Sequence, residues 1–207
     1  MKKFYDQLSG RTLCSRPDPQ VISNVFEEEY FSYLINTFKN IRETNILKYT
    51  DFLGRYYVST LDSHIDNPLL QSFNHIIDRA KILFGDYIKP TYAVWGLYRG
   101  FKAALPKHID DNACTYTMDV CLSQIQKWPI YVEDKEYILE PNQALCYYGE
   151  DQYHWRNQFP DPATNEVQMI FFHFAEPDHW FFTKGPKYQE EVVRLRWEHQ
   201  KKNEIII

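Results

Sequence analysis

The chain has 207 residues, of which 44% are hydrophobic and 17% aromatic, and it carries 23 Lys and Arg against 28 Asp and Glu for a net charge of −5. A chain this rich in apolar side chains is globular rather than disordered. The acidic balance and the lack of a basic patch argue against a nucleic-acid partner or an anionic membrane surface, and no run of about 18 apolar residues offers a membrane span.

Residues 1–20, ending in SRPDPQ, read as an irregular arm without the apolar stretch of a signal peptide, so a cytoplasmic location is expected. The four cysteines, Cys14, Cys114, Cys121 and Cys146, form no CxxC and no paired spacing. They are expected to be free thiols of a reducing compartment, and Cys114, Cys121 and Cys146 small buried hydrophobes. In SNVFEEEYFSYLINTFKNI, apolar residues recur at Val25, Phe26, Tyr30, Tyr33, Leu34 and Phe38. That is helical spacing, with Ser23 or Asn24 as the N-cap. A short strand is predicted around Arg55–Thr60. A second helix is predicted in NPLLQSFNHIIDRAKILFG, with Asn67 as cap, Pro68 in the first turn and Gly85 just past the end.

After Pro90 the texture becomes β. TYAVWGLYRGF and ACTYTMDVCLSQ read as strands. PIYVEDKEYIL is a hairpin with its polar tip at Glu133–Asp134–Lys135. EPNQALCYYGED is turn, strand, turn; QYHWRN is short and extended; EVQMIFFHFAE is strongly β; and PKYQEEVVRLRWEHQKKNE returns to helix. Helices followed by a series of short antiparallel strands predict a mostly β (α+β) fold, a sandwich or jelly roll backed by helices. One domain over 1–207 is expected: an arm and supporting helices to residue 90, a jelly-roll core over 91–180, and a helical tail over 181–207.

Side chains at i and i+2 of a strand share a face, so His108 and Asp110 project together if the chain is extended there. An imidazole and a carboxylate on one face can hold a divalent metal, and a second histidine completes the two-His, one-carboxylate triangle of non-haem Fe(II) oxygenases. The candidates beyond Asp110 are His154, His173, His179 and His199. His199 lies in the predicted tail, His179 in a loop, and His173 in MIFFHFAE, where it reads as a core histidine or a partner of the ligands. His154 follows a strand and turn that can carry it back across a jelly roll. Arg156 stands two residues on, an inward cation beside a metal ligand, which suggests a pocket for an acid. His64 and His75 read as structural or exposed. Trp95, Trp128 and Trp180 read as core, Trp180 also as a wall at a pocket mouth.

The segments LYRGFKAALPKHIDDNACTYTMDVCLSQIQKWPIYV, LEPNQALCYYGEDQYHWRN and VQMIFFHF together resemble the 2-oxoglutarate- and Fe(II)-dependent oxygenases, the prolyl-4-hydroxylase-like branch in particular. The likeness covers roughly residues 91–175. It implies a double-stranded β-helix (cupin-like jelly roll), with His108, Asp110 and His154 as iron ligands. Tyr98, ten residues before His108, matches a tyrosine lining the 2-oxoglutarate site. It further implies oxidative decarboxylation of 2-oxoglutarate to succinate, dioxygen as co-reactant, and hydroxylation of an unactivated C–H bond in an amino acid, a peptidyl side chain or a small metabolite. Ascorbate would be an accessory reductant. The related halogenases carry Gly or Ala where this chain keeps Asp110, which favours a hydroxylase.

Two departures stand out. Asn142–Gln143 replaces a family glycine after Pro141, and the usual Lys or Arg on the strand after the distal histidine is missing, since no cation lies between Asn157 and Thr183. The far carboxylate of 2-oxoglutarate then needs another partner. Arg156, with Tyr98 as hydroxyl donor, is preferred, and Arg99 is the rival. Two other readings remain at this level: a cupin-type metal enzyme that does not use 2-oxoglutarate, and a catalytically silent jelly-roll binding module.

Overall fold

A computed structural model describes residues 16–44, 47–50, 53–61, 68–110, 113–159, 161–184 and 191. Cys14, His64, Asn67, His199 and most of the predicted tail lie outside the described residues. The elements run β1 (Gln20–Ser23), α1 (Glu28–Glu43), β2 (Lys48–Thr50), β3 (Arg55–Ser59), α2 (Pro68–Phe84), β4 (Lys89–Arg99), β5 (Leu105–His108), β6 (Tyr116–Gln124), β7 (Ile130–Val132), β8 (Lys135–Tyr137), β9 (Gln143–Tyr147), β10 (His154–Arg156), β11 (Glu166–Ala175) and α3 (Trp180–Thr183). They form a seven-stranded sheet in the order β1-β9-β6-β11-β4-β3-β2 and a four-stranded sheet in the order β5-β10-β7-β8. All pairings are antiparallel. The architecture is the expected mostly β jelly roll with supporting helices.

The large sheet has apolar residues on both faces, which is why β6 and β11 read as unbroken runs rather than alternating ones. On its outer face, Trp95, Leu97, Met118, Val120, Ile170 and Phe172 join the helices in one buried cluster. Helix α1 contributes Leu34, Phe38 and Ile41, a spacing of four and three, and Phe38 stacks on Trp95 with ring centroids 4.7 Å apart. Helix α2 meets the sheet through Phe73, whose ring lies 5.2 Å from Phe172. Phe172 is fully buried, so Phe172→Ala is expected to cost about 3–5 kcal/mol in stability. Denaturant unfolding would register it as a lower midpoint at an unchanged slope; a midpoint equal to the parent's would mean that this contact is not part of the core. On the inner face, Tyr98, Cys121, Leu145, Tyr147, Met169 and Phe171 pack with Trp128, Ile130 and Val132 of the smaller-sheet side.

Helix α2 ends as the sequence predicts. Gly85 adopts φ +109°, and its N–H closes on Lys81 O at 2.8 Å. The start of α1 differs from the prediction. Residues 20–23 are an edge strand, with Gln20 opposite Cys146 and Ser23 opposite Gln143. Asn24 then turns with φ 52°, and Glu27, without a side-chain cap, occupies the cap position. The anchor is Asn142, at φ 63° in the turn before β9. Its side chain accepts from Phe26 N–H and donates to Phe26 C=O, both at 2.9 Å. Asparagine tolerates the left-handed turn and also ties it to the N-terminal segment, which glycine cannot do. Strands β1 and β2 were missed because four and three residues with mostly exposed side chains give no readable alternation.

The Cys114, Cys121 and Cys146 thiols are free and buried. His75 is exposed and stacks on Tyr30 at 3.5 Å. Among the described residues no helix is long and apolar enough to cross a membrane.

Candidate metal centre

Strand β10 pairs with β5 so that His154 stands directly opposite His108. Their rings are 4.2 Å apart. Asp110, two residues beyond the end of β5, points at both: its Oδ1 is 3.5 Å from His108 Nε2 and 3.4 Å from His154 Nε2. One ligand atom from each of the three residues falls within 4.8 Å of the others. His108 Nδ1 is 2.7 Å from Pro106 O and His154 Nδ1 is 3.1 Å from Gln152 O. A carbonyl only accepts, so both Nδ1 atoms carry the proton and both Nε2 lone pairs face the carboxylate. His154 is 2% exposed and Asp110 9%, whereas His108 is half-buried, so the cluster opens on the His108 side. This donor set, two neutral imidazoles and one carboxylate with fixed tautomers, fits a divalent ion such as Fe(II).

The charges follow from the geometry. Burial pushes Asp110 up, but the charge of His154, when that imidazole is protonated, and the close approach of both imidazoles outweigh it and hold the carboxyl well below its usual range. Burial also lowers His108, with His154 adding to the effect. For His154 burial is overcome, chiefly by the Asp110 charge, and the imidazole is raised.

Asp110 is held from behind. Its N–H donates to Gly149 O at 2.8 Å, and Thr117 Oγ1 donates to its Oδ2 at 3.2 Å. Thr117 in turn accepts from His173 Nδ1 at 3.1 Å. His173 is therefore joined to the cluster through Thr117. Gly149 is the tight point: a Cβ there would sit 2.4 Å from Asp110 Oδ2 and 2.6 Å from Thr117 Oγ1. Gly149→Ala is thus expected to push the carboxylate off its line. Overpacking of this kind costs about 1–3 kcal/mol, roughly 5- to 150-fold in metal affinity. Calorimetric metal titration checks it, beside a melting curve to separate the site from the fold; unchanged affinity would remove Gly149 from the site.

Further along the inner face lies Arg156, 4% exposed. One Nη donates to Trp128 O, the guanidinium lies 4.8 Å over the Trp128 ring, and Nη2 is 3.9 Å from Met169 Sδ. Its Nε has no hydrogen-bond partner among the described residues. A buried guanidinium this sparsely bonded is costly without an anion. Asp119 shares the inner face, 1% exposed. It accepts from Tyr147 OH at 3.2 Å, and its Oδ1 has no partner among the described residues. Burial, opposed by His154 and Arg156, pushes its carboxyl up to about 7. At neutral pH Asp119 therefore carries only part of a charge and does not fully neutralise Arg156.

Tyr98, 1% exposed, packs its ring 5.0 Å from Trp128. Arg99 is the rival anchor. Strand alternation turns it to the opposite face from Tyr98, where it is exposed and lies 4.8 Å over the Tyr56 ring. The sequence reading missed Asp119, Thr117, Gly149 and Arg55. A signal for the first two exists: in TYTMDVC the polar residues alternate with apolar ones inside a strand that is buried throughout. His179, read as a loop residue, sits before α3 with Nε2 3.6 Å from Glu150 Oε1.

No family model matches the sequence, and no curated protein matches it either. The fold has many solved counterparts. A Pseudomonas putida prolyl-4-hydroxylase superimposes with a TM-score of 0.58 at 11% identity, over 85% of this chain and 99% of its own. SnoK, an alpha-ketoglutarate-dependent carbocyclase of nogalamycin biosynthesis, gives 0.62 at 10% identity, over 84% and 83%. EctD of S. alaskensis with bound Fe gives 0.58 at 12% identity, over 79% and 78%. At these identities the likeness shows the fold.

Proposed function

We propose that this chain is an Fe(II)- and 2-oxoglutarate-dependent oxygenase that hydroxylates an unactivated C–H bond. The observation that carries the reading is the convergence of one ligand atom each from His108, His154 and Asp110 within 4.8 Å of one another, in a fold shared with alpha-ketoglutarate-dependent enzymes.

His108, Asp110 and His154 would hold the iron. When bound, the iron supplies dioxygen activation coupled to decarboxylation of 2-oxoglutarate to succinate. The chain's own residues do the rest. Pro106 and Gln152 carbonyls fix the histidine tautomers. Thr117 occupies Asp110 Oδ2, which reserves Oδ1 for the metal. Arg156 offers a desolvated cation for the far carboxylate of 2-oxoglutarate, and Tyr98 adds a hydroxyl. Phe171, Met169 and Tyr147 line the inner face with apolar surface, which keeps bulk water from the reacting centre.

The deciding experiment is a succinate-release screen of the Fe(II)-loaded protein across amino acids, small acids and peptides. Turnover that needs both Fe(II) and 2-oxoglutarate supports the reading. A cupin-type enzyme would turn over without 2-oxoglutarate, and a silent module would not bind iron at all.

A further inference from the structure

Arg55 lies in the half of the chain that the sequence assigns to support, yet it faces the interior. In the β3–β4 ladder it stands opposite Tyr98, and Tyr57 stands opposite Gly96. These residues share the inner face with Phe171, whereas Tyr56 and Val58 pack on the helix side. The Arg55 stem crosses the strand at Gly96: a Cβ there would come within 2.8 Å of Arg55 Cδ and 3.3 Å of the Phe171 ring. The groove that admits this arginine exists because residue 96 has no side chain.

The guanidinium then sits among three rings, 5.3 Å from Tyr57 and 5.7 Å from both Tyr98 and Phe171. One Nη donates to Tyr98 OH at 3.3 Å. Its Nε is buried and has no hydrogen-bond partner among the described residues, and no carboxylate among them pairs with it. Aromatic faces stabilise a cation but leave its in-plane donors unused, and a guanidinium's fork matches a carboxylate. Phe171 and His173 are neighbours on one face of β11, about 7 Å apart along the strand. His173 is bonded through Thr117 to Asp110. The free donors of Arg55 therefore face the same interior as Asp110, on the inner face of the large sheet that also carries Phe171, His173 and Thr117.

We propose that Arg55 binds a carboxylate of the substrate, so that the molecule hydroxylated is a small organic acid or amino acid held with its acid group on Arg55 and its C–H bond towards the triad. The proposal rests on the oxygenase reading for the role of the bound acid, not for the binding itself. Arg156 is almost wholly enclosed, which suits a cosubstrate bound first and deep. Arg55 is half-buried, which suits a ligand that arrives later from the open side.

The test uses the full-length chain, Arg55→Gln, which keeps shape and hydrogen bonds but not charge, and Arg55→Lys, which keeps charge but not the fork. Calorimetry measures binding of the proteinogenic amino acids, a set of short-chain carboxylic acids and the matching amides, with and without Fe(II) and 2-oxoglutarate under anaerobic conditions. At least one acid should bind, and its amide should bind far more weakly. Arg55→Gln should weaken the acid roughly ten- to hundred-fold, bring acid and amide level, and leave 2-oxoglutarate affinity within about twofold of the parent. Arg55→Lys should restore part of the preference, and matched melting curves exclude unfolding as the cause. If acids and amides bind alike in the parent, or no acid binds, the proposal fails. If Arg55→Gln instead loses 2-oxoglutarate, Arg55 belongs to the cosubstrate and the proposal fails in that way. Failure of the oxygenase reading shows separately, as absent 2-oxoglutarate binding and succinate release in the parent, while the acid-against-amide comparison still decides on Arg55.

Discussion

His154→Ala is expected to abolish turnover and to lower Fe(II) affinity by more than the roughly 10- to 100-fold that loss of an outer hydrogen-bond partner costs. The residue would supply one of the three proposed ligand atoms, it is 2% exposed, and its tautomer is already fixed by Gln152 O. The informative control is His173→Gln. His173 is also buried and also lies near Asp110, but it reaches the carboxylate only through Thr117. That variant should keep metal stoichiometry and lose affinity modestly. Equal loss in the two variants would mean that the ion sits towards His173 rather than between His108 and His154. The pH dependence has a definite sign, because a proton and the metal compete for the same Nε2 lone pair. His154 is raised from 6.5, so its proton competes already above that pH. His108 is lowered from 6.5, so it competes only below. Affinity should fall as the medium is acidified, first with a slope of one proton per ion and then more steeply. A titration flat from neutral pH down to the carboxylate range would be incompatible with imidazole ligation.

Much of this site is legible in the sequence because strand parity is a rigid rule. Once His108 is on the inner face, the extended chain leaves Asp110 beside it, and His154 carries Arg156 inward by the same alternation. The rule also sends Arg99 outward when Tyr98 points in. What parity cannot give is which strands are neighbours. Arg55 looks unremarkable in RYYVST, and it matters only because β3 joins the open side of β4 with Gly96 opposite Tyr57. Gly149 reads as a simple turn residue, since its need arises from Asp110 and Thr117, more than thirty residues away. Strand β1 escapes notice for a related reason: among the described residues its only partner is β9, and four residues on an edge carry too little pattern to declare themselves. Asp119 shows a different limit. Its alternation with Met118 and Val120 was readable, but an acidic group so fully buried runs against the usual rule, and the guanidinium and tyrosine near it come from two other strands.

Arg156→Ala is expected to weaken 2-oxoglutarate by roughly 30- to several-thousand-fold, because removing one partner of a buried charge pair typically costs on the order of 2–5 kcal/mol. The free protein already holds this cation in an unfavourable setting. It is 4% exposed, and burial pushes it down from its usual value, with Asp119 opposing. Its Nε has no partner among the described residues. A dicarboxylate entering from the iron side would meet that charge within the reach set by the strand, since His154 and Arg156 are two residues, about 7 Å, apart. Arg156→Lys should recover only part of the loss. The ammonium keeps the charge but not the planar fork, and it cannot both bond Trp128 O and grip a carboxylate with two parallel bonds. Tyr98→Phe should cost less, about 0.5–1.5 kcal/mol for one neutral hydrogen bond, or roughly 2- to 13-fold. Arg99→Ala, on the outer face, should leave the constant where it is. The measurement is the 2-oxoglutarate dissociation constant of the Fe(II)-loaded protein without oxygen, with melting temperatures taken in parallel because Arg156 packs on Trp128. If Arg156→Ala binds 2-oxoglutarate as the parent does, the guanidinium is a packing element of the Trp128 wall, and the far carboxylate must find its partner elsewhere on the inner face.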